Sequence, residues 1–302
     1  MKVVITGANS AVGQAILRCA AAQEAPPTTF LAAVRSDRAA EQIRSGPGDA
    51  NRVVRISYDD PGSLDAAFQG ASAVIHLAGI LFERPDSTYE QANVASTRRV
   101  VEAAKRSVVT KLVLVSATGA DETSSNRYYR TKGQAETLVR TSGLCYTVLR
   151  VPLLLGRGTA GAAVLQRYVS GRKARLIGGG RNLQQPLYVD DLARAAVVAA
   201  TQPSIANNLT LDLVGPISLR ERELVERAAR LVGREVRISS IPKTFFSLVL
   251  AIRQRISSTG FSRDILEVIT ADTRLDPQPA ACKLGIRLTG IDEMIKDSLG
   301  QG

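Results

Sequence analysis

The strongest constraint on the fold lies at the start of the chain, where residues 1–17 read MKVVITGANSAVGQAIL. Residues 3–5 form a short apolar, β-branched run of the kind that makes a fully buried strand. Gly7 follows, Gly13 comes six residues later, and apolar residues then recur at helical spacing. A strand, a glycine turn and a helix N-terminus predict a phosphate-binding loop, because free N–H groups and the helix dipole both favour an anion.

The two glycines of this loop have different expected roles. Gly7 permits a turn that a side chain would hinder, and Gly13 lets the helix pack closely on the strand. An ordinary strand–turn–helix without a ligand stays open as an alternative, because short glycine patterns also arise by chance. The other residues predicted to contact a cofactor in this loop are Asn9, Ser10, Ala11 and Val12.

Length and composition set the class of protein. A chain of 302 residues, 45% apolar and 22% charged, suits one large α/β domain with a smaller appended lobe. It has no apolar run of 18 residues, so we expect no transmembrane helix. A strand that starts at residue 2 leaves no room for a signal peptide, and we expect a cytoplasmic protein.

Cysteine, histidine and charge argue against several kinds of site. Cys19, Cys145 and Cys282 lack metal-site spacing, and the first two lie in apolar patterns that predict reduced core thiols. The only histidine, His76, lies in an apolar strand, which favours a structural role and argues against a zinc site. The absence of metal-site spacing means that we expect no bound metal. The net charge of +11 is scattered along the chain, so we expect no nucleic-acid partner.

The end of the second predicted strand, residues 29–34, bears on the choice of cofactor. In a dinucleotide fold an acidic residue at this point binds the 2′-hydroxyl of NAD, whereas an arginine accommodates the 2′-phosphate of NADP. The chain has Arg35 and Ser36 here, with Arg38 nearby, and a planar guanidinium suits a phosphate. The pattern favours NADP, with NAD and a merely solvated arginine as the alternatives.

Four further strands are predicted at residues 53–57, 73–77, 111–115 and 145–149, and residues at their ends are candidates for contact with a cofactor. At the end of the second of these, Leu77 is followed by Ala78 and Gly79, whose small size lets the backbone approach a flat ligand closely.

A tyrosine and a lysine follow the fifth strand. Tyr128 and Lys132 are four residues apart in a predicted helix, so they share one face. A phenol with a pKa of about 10 is a poor base, but a nearby ammonium group stabilises the phenolate. Ser116 and Thr118, at the end of the fifth strand, offer hydroxyls that can polarise the same substrate oxygen. The pair alone also arises by chance, and its position after this strand strengthens it.

Seven segments carry a family resemblance: TGANSAVG, VIHLAG, ANVASTRRVVEAA, VLVSATGA, YYRTKGQAE, VLRVPLLLGRG and PLYVDDLARA. Together they resemble the extended and atypical short-chain dehydrogenases/reductases over nearly the whole chain. The wording is most similar to an atypical branch that includes the Rossmann-fold accessory subunit of respiratory complex I. Some members of that branch hold NADPH structurally and catalyse nothing known.

The resemblance implies roles for particular residues. Tyr128 would be the acid/base, and Lys132 would lower its pKa and hold the nicotinamide ribose. Thr118, with Ser116 as a near alternative, would be the catalytic hydroxyl, and Asn93 would support the proton relay. Further implied cofactor contacts are Gly7 and Gly13 in the phosphate loop, Ser57 and Tyr58 after the third strand, and Val151 and Pro152 in the loop that faces the nicotinamide.

The expected fold is α/β, a Rossmann-type doubly wound parallel sheet with a smaller C-terminal α/β substrate lobe. The sheet domain would comprise residues 1–155 with 181–202, and the lobe residues 156–180 with 203–302. In the lobe, Ser218 is predicted to cap an amphipathic helix. The apolar stretch 244–256 predicts a packed lobe helix or, less favoured, peripheral membrane or partner contact. The resemblance also allows a homodimer.

Three functional hypotheses follow. The leading one is an NAD(P)-dependent oxidoreductase that transfers a hydride between nicotinamide and a small carbonyl or alcohol substrate. The second is a nucleotide-sugar epimerase or dehydratase with tightly bound NAD. The third is a non-catalytic, dinucleotide-binding accessory or assembly protein. In each of the first two, the substrate would lie between the sheet and the lobe.

Overall fold

The computed structural model describes residues 1–22, 28–45, 52–77, 79–202, 205–244 and 262–300. Its strands are β1 (Lys2–Thr6), β2 (Thr29–Val34), β3 (Val53–Arg55), β4 (Ala73–His76), β5 (Lys111–Ala117), β6 (Cys145–Val151), β7 (Leu154–Leu155), β8 (Lys173–Ile177), β9 (Leu183–Gln184), β10 (Leu187–Tyr188), β11 (Leu209–Asp212), β12 (Leu219–Arg220) and β13 (Arg237–Ile241). Its α-helices are α1 (Ala11–Ala21), α2 (Asp37–Arg44), α3 (Pro61–Phe68), α4 (Ser96–Arg106), α5 (Arg127–Arg140), α6 (Ala160–Ser170), α7 (Val189–Thr201), α8 (Glu221–Leu231), α9 (Arg263–Thr270), α10 (Gln278–Leu284) and α11 (Ile291–Ser298). A π-helical segment, Glu90–Ala95, runs directly into α4 and is called the π segment below.

Seven of the described strands form one parallel sheet, in the order β11-β6-β5-β4-β1-β2-β3. The chain leaves the centre of the sheet in both directions, from β1 towards β3 and from β4 towards β11. In such a sheet, ligands bind at the carboxyl ends of the strands near this reversal. The predicted Rossmann-type doubly wound sheet is confirmed.

Helices cover both faces of the sheet because its central strands are apolar on both sides. Val3 and Ile5 join a core with α1, α7 and α10, whereas Val4 joins a second core with α3, α4 and α5. All three side chains are fully buried, as alternation along a central strand requires. This packing fixes β1, and with it the loop that follows.

A third, smaller core forms the second lobe, where α6, α8 and α11 pack on the parallel pair β8 and β13. The sequence predicts that all of residues 203–302 belong to this lobe. In the structure, Leu209–Asp212 instead pairs with β6 as an outer strand of the central sheet. Helix α10 likewise packs in the core beside α7.

Two local predictions about side chains are wrong. Ser218 does not cap α8, because its hydroxyl donates to the carbonyl of Thr273 at 2.7 Å; the Glu223 carboxylate instead accepts the N–H of Arg220 at 3.0 Å. Cys145 is exposed at the first position of β6, so its thiol is not in the core. An apolar sequence pattern does not show whether the first residue of a strand is covered by other elements, so it wrongly predicts a core position for Cys145.

Two predicted features lie outside the described residues. One is the apolar stretch 244–256, apart from Thr244, and the other is the predicted cofactor contact Ala78. Within the described ranges, no helix is long and apolar enough to cross a membrane.

Candidate functional site

The loop between β1 and α1 needs glycine at two positions. Gly7 has a φ of 74°, a left-handed conformation that side chains rarely adopt, and its N–H donates to the carbonyl of Ala33 at 3.1 Å. A Cβ on Gly13 would lie 2.3 Å from the carbonyl oxygen of Ala8. Backbone cannot retreat from such a contact without moving α1 away from the loop.

The first turn of α1 can receive an anion. Ser10 caps the helix, with its hydroxyl accepting the N–H of Gly13 at 3.1 Å. The N–H groups of Ala11 and Val12 have no hydrogen-bond partner in the part of the chain that the structure describes. With Asn9 exposed beside them, these donors fit the pyrophosphate of a dinucleotide.

The residues after β2 lie on the surface. Ser36 caps α2 through its hydroxyl. Asp37 pairs with Arg55 at 2.9 Å, whereas neither Arg35 nor Arg38 forms an ion pair with a described residue. Asp37, the acidic residue nearest in sequence to the end of β2, is therefore neutralised by Arg55. Two exposed guanidinium groups, those of Arg35 and Arg38, flank the strand end.

Ser57 and Tyr58 follow β3. Ser57 is exposed and held to the first turn of α3, and the ring of Tyr58 packs edge-on against His76 with ring centroids 6.2 Å apart. Burial raises the pKa of Tyr58, and a hydrogen bond to Thr6 and the charge of Arg35 offset part of the rise. Tyr58 thus contacts the buried His76 ring and lies within the electrostatic influence of the exposed Arg35.

Asn93 joins three parts of the site from the π segment. It is 1% exposed; its Oδ1 accepts the N–H of Ile80 at 3.2 Å and its Nδ2 donates to the Thr131 hydroxyl at 3.0 Å. A Cβ on Gly79 would lie 2.9 Å from the Asn93 Oδ1 and 3.2 Å from the Lys132 Nζ. The loop after β4, the π segment and α5 therefore meet at one point, and π-helical turns are frequent at functional sites.

The two candidate hydroxyls after β5 differ in environment. Ser116 is 2% exposed, and its Oγ has no hydrogen-bond partner among the described residues. Thr118 is half-buried, and its backbone N–H donates to the carbonyl of Val151 at 3.0 Å. A buried hydroxyl without a partner marks a place that a ligand or water completes, so Ser116 has the greater unmet capacity.

Tyr128 packs among tyrosines at the start of α5. Its ring centroid lies 5.8 Å from that of Tyr89 and 5.7 Å from that of Tyr129. Burial, and then these two neighbours, raise the pKa of Tyr128 well above its ordinary value. The family resemblance implies the opposite, namely that Lys132 lowers the pKa of Tyr128. The raised pKa keeps the phenol protonated at neutral pH.

Lys132 is buried one turn further along α5, with 7% of its surface exposed. Its Nζ donates to the carbonyl of Val115 at 3.0 Å. Burial lowers the pKa of Lys132 to about 8, and the Glu136 carboxylate offsets part of that shift. The amine can therefore gain or lose its proton near neutral pH.

A buried ion pair that sequence reasoning missed supports this helix. Glu136 is fully buried and accepts from the Arg150 Nε at 2.9 Å, the Arg150 Nη2 at 2.6 Å and the Arg140 Nη1 at 3.0 Å. Arg150 belongs to β6, directly before Val151, so the pair ties α5 to the strand that leads into the Pro152 loop. The available signal was Glu136 itself, an acidic residue four positions after Lys132 and four before Arg140 on the same predicted helix.

The remaining predicted contacts lie at the same edge of the sheet. Leu77 is half-buried just beyond β4, with its N–H bonded to the carbonyl of Thr6 at 3.1 Å. Val151 ends β6 and is 9% exposed, and half-buried Pro152 follows it. The predicted residues that the structure describes therefore extend along the carboxyl edge from β3 to β6. Gly79, Asn93 and Lys132 meet at one point of it, and Thr118 contacts Val151 at another.

The fold and this edge define a dinucleotide-binding protein of the Rossmann type. A family model for NAD(P)H-binding proteins matches residues 7–202, more than half of the chain. The chain belongs to this NAD(P)H-binding family, which includes relatives of the extended short-chain dehydrogenase/reductase kind.

Three proteins similar to this chain have different names and activities. The mitochondrial NADH dehydrogenase (ubiquinone) 1 alpha subcomplex subunit 9 of Arabidopsis thaliana is 27% identical over 239 residues, which cover 75% of this chain and 60% of that protein. The ceramide reductase of Caulobacter vibrioides is 25% identical over 240 residues, 80% of this chain and 73% of that protein. The Escherichia coli NADPH-dependent quinone oxidoreductase QOR2, solved with NADPH, superposes with a TM-score of 0.73 at 18% identity, covering 97% of this chain and 98% of that one. The chain thus spans less than two thirds of the plant subunit's length.

Proposed function

We propose that the protein is an NADP(H)-dependent oxidoreductase that reduces a carbonyl group, with Tyr128 as the proton donor. The observation that carries this proposal is the junction of Gly79, Asn93 and Lys132, with Tyr128 one helical turn away on α5. It lies at the carboxyl ends of β4 and β5, where the family's dinucleotide is expected to present its nicotinamide.

The chain's own groups fit the reductive direction. When bound, NADPH supplies the hydride that adds to the carbonyl carbon. As negative charge develops on the carbonyl oxygen, the protonated Tyr128 hydroxyl donates its proton to form the alcohol. Its raised pKa keeps the phenol in the donor form, the Lys132 ammonium stabilises the phenolate that is left, and solvent then returns the proton.

The choice of NADPH over NADH rests on the surface after β2. Arg35 and Arg38 are exposed, while the Asp37 carboxylate is occupied by Arg55. A 2′-phosphate placed here meets two cations, and a ribose 2′-hydroxyl meets no free carboxylate on this turn. Quinone and ceramide reduction by similar proteins supports carbonyl substrates, including lipophilic ones.

The test is NADPH oxidation against a panel of aldehydes, ketones, quinones and long-chain keto compounds, with Tyr128→Phe as the decisive variant. Loss of the general acid should reduce kcat by about 10²–10⁴-fold while NADPH affinity stays within about twofold. Tyr129→Phe is the matched control, since that ring packs beside Tyr128, and it should keep wild-type turnover. Wild-type turnover in Tyr128→Phe would contradict the proposal.

A non-catalytic, dinucleotide-holding accessory protein is the second candidate. It is favoured by the 27% identity with a complex I subunit over 75% of this chain. This candidate predicts tight NADPH binding, no turnover on any substrate of the panel, and higher thermal stability when NADPH is bound.

A further inference from the structure

We infer that His76 is a positioning residue: as a neutral imidazole protonated on Nε2, it fixes the π segment that presents Asn93 to the site. The inference rests on the proposed function, because Asn93 belongs to the site described there. His76 is the only histidine of the chain and ends β4 in the centre of the sheet.

A chain of buried contacts connects the sheet to Asn93 through this imidazole. The Thr6 Oγ1 lies 2.6 Å from the His76 Nδ1, and the His76 Nε2 lies 3.2 Å from the Thr97 Oγ1. The Thr97 hydroxyl in turn donates to the backbone carbonyl of Asn93 at 2.6 Å. All four residues are at most 1% exposed, so water does not compete for these contacts.

The direction of each hydrogen bond follows from the last one. The Asn93 carbonyl can only accept, so the single hydroxyl hydrogen of Thr97 points to it. The Thr97 oxygen must then accept from His76, which places the ring proton on Nε2. Nδ1 is left with a lone pair that accepts the Thr6 hydroxyl, and the Thr6 oxygen can then accept the hydroxyl hydrogen of Tyr58. Every group in the chain is satisfied as long as the ring is neutral.

The charged and titratable groups around the ring oppose a second proton. Tyr58 packs against the ring edge-on from the β3 side, and Lys132 faces it from α5. Burial, followed by the charge of Lys132, lowers the pKa of His76 to about 3. The imidazole is therefore expected to remain a fixed donor–acceptor over the working pH range.

Control of Asn93 matters because its side chain connects the loop after β4 to α5. While Thr97 holds the backbone carbonyl of Asn93, the side-chain amide of Asn93 bonds both Ile80 and Thr131. Without that hold, the π segment can shift and the junction beside Lys132 loosens. We expect weaker cofactor binding and slower proton delivery, not a change in the fold.

The first experiment reads the ring directly. In tag-free protein with ¹⁵N-labelled histidine, long-range ¹H–¹⁵N spectra should show one ring, protonated on Nε2 and unprotonated on Nδ1, that does not titrate between pH 5.5 and 9. An Nδ1-protonated ring, or titration near the ordinary pKa of about 6.5, would overturn the inference without touching the proposed function.

The second experiment breaks the link. Thr97→Val should weaken NADPH binding by about five- to tenfold, the size of one buried hydrogen bond, and Thr97→Ser should restore it. Thr147→Val is the matched control, because that buried hydroxyl bonds the carbonyl of Ala206 at the opposite edge of the sheet. Equal NADPH affinity in Thr97→Val and Thr147→Val would refute the positioning role. Absence of turnover in the wild type would instead count against the proposed reaction, and the affinity comparison would still stand.

Discussion

The candidate site has two ends that are built differently. The β2 end (Arg35, Ser36, Asp37 and Arg38) is exposed, and its ion pair between Asp37 and Arg55 has side chains that are 85% and 65% exposed. The β5 end (Asn93, Ser116, Tyr128 and Lys132) is largely buried. Below it lies Glu136, which is fully buried and bonded to two arginines.

In the proposed function, this difference separates selection of the cofactor, at the β2 end, from positioning of the reacting groups, at the β5 end. Exposed arginines can select a phosphate because their charge costs little to hold in water and needs no precise support. A proton donor must be held within a fraction of an ångström, and the β5 end is held by buried polar contacts, each costly to break. Substitutions at the two ends should therefore affect different quantities.

The largest expected effect is on stability at the β5 end. Arg150→Met leaves the buried Glu136 carboxylate with Arg140 alone, and breaking a buried pair in this way costs about 3–5 kcal/mol. Arg55→Met removes the exposed pair at the β2 end and should cost less than about 1 kcal/mol. Urea unfolding of both variants measures the contrast. Similar losses in the two would mean that the ends are supported alike.

The next effect is on cofactor choice at the β2 end. Arg35→Ala should weaken NADPH binding by about tenfold or more, as expected for loss of a charge-assisted hydrogen bond, and leave NADH binding unchanged. Arg44→Ala, at the exposed far end of α2, serves as the control. Fluorescence titration with both cofactors gives the ratio. An equal loss for NADH would remove the 2′-phosphate assignment.

Much of the fold was predictable because its signals are local. The apolar run of β1, the required glycines and the apolar strands that follow specify a buried parallel sheet before any contact is known. The return of Leu209–Asp212 to the sheet was not predictable, because a short strand at the sheet's edge carries no marker of its partner. The same limit applies to Ser218, whose hydroxyl is used by Thr273, 55 residues away.

The candidate site was predictable as positions and less so as chemistry. Spacing predicts Tyr128 and Lys132 on one helix face, and both lie in α5, but the pKa of each depends on burial, which spacing does not give. Arg150, from another strand, completes the Glu136 pair, and His76 is satisfied by hydroxyls 70 and 21 residues away. Such long-range partners become visible only in the folded chain.

The smallest expected effect is a pH dependence that should belong to the β5 end alone. The pKa of Lys132 is lowered to about 8 by burial, so its charge is present below that pH and lost above it. Because the dinucleotide is an anion, its affinity should fall by about fivefold as the pH rises from 6.5 to 9.5, and Lys132→Met should abolish the transition.

Lys111 provides the control for this titration, since burial also lowers its pKa to about 8. Its ammonium bonds the carbonyl of Ala206 and the Asn207 side chain at the amino edge of the sheet, away from the site. For both lysines the unfolded chain keeps its proton up to about pH 10.5, so protein stability should rise between pH 8 and 10.5. Lys111→Met should reduce that rise and leave the binding transition intact. If it removed the binding transition instead, the pH dependence would reflect the stability of the whole sheet rather than the charge beside Tyr128.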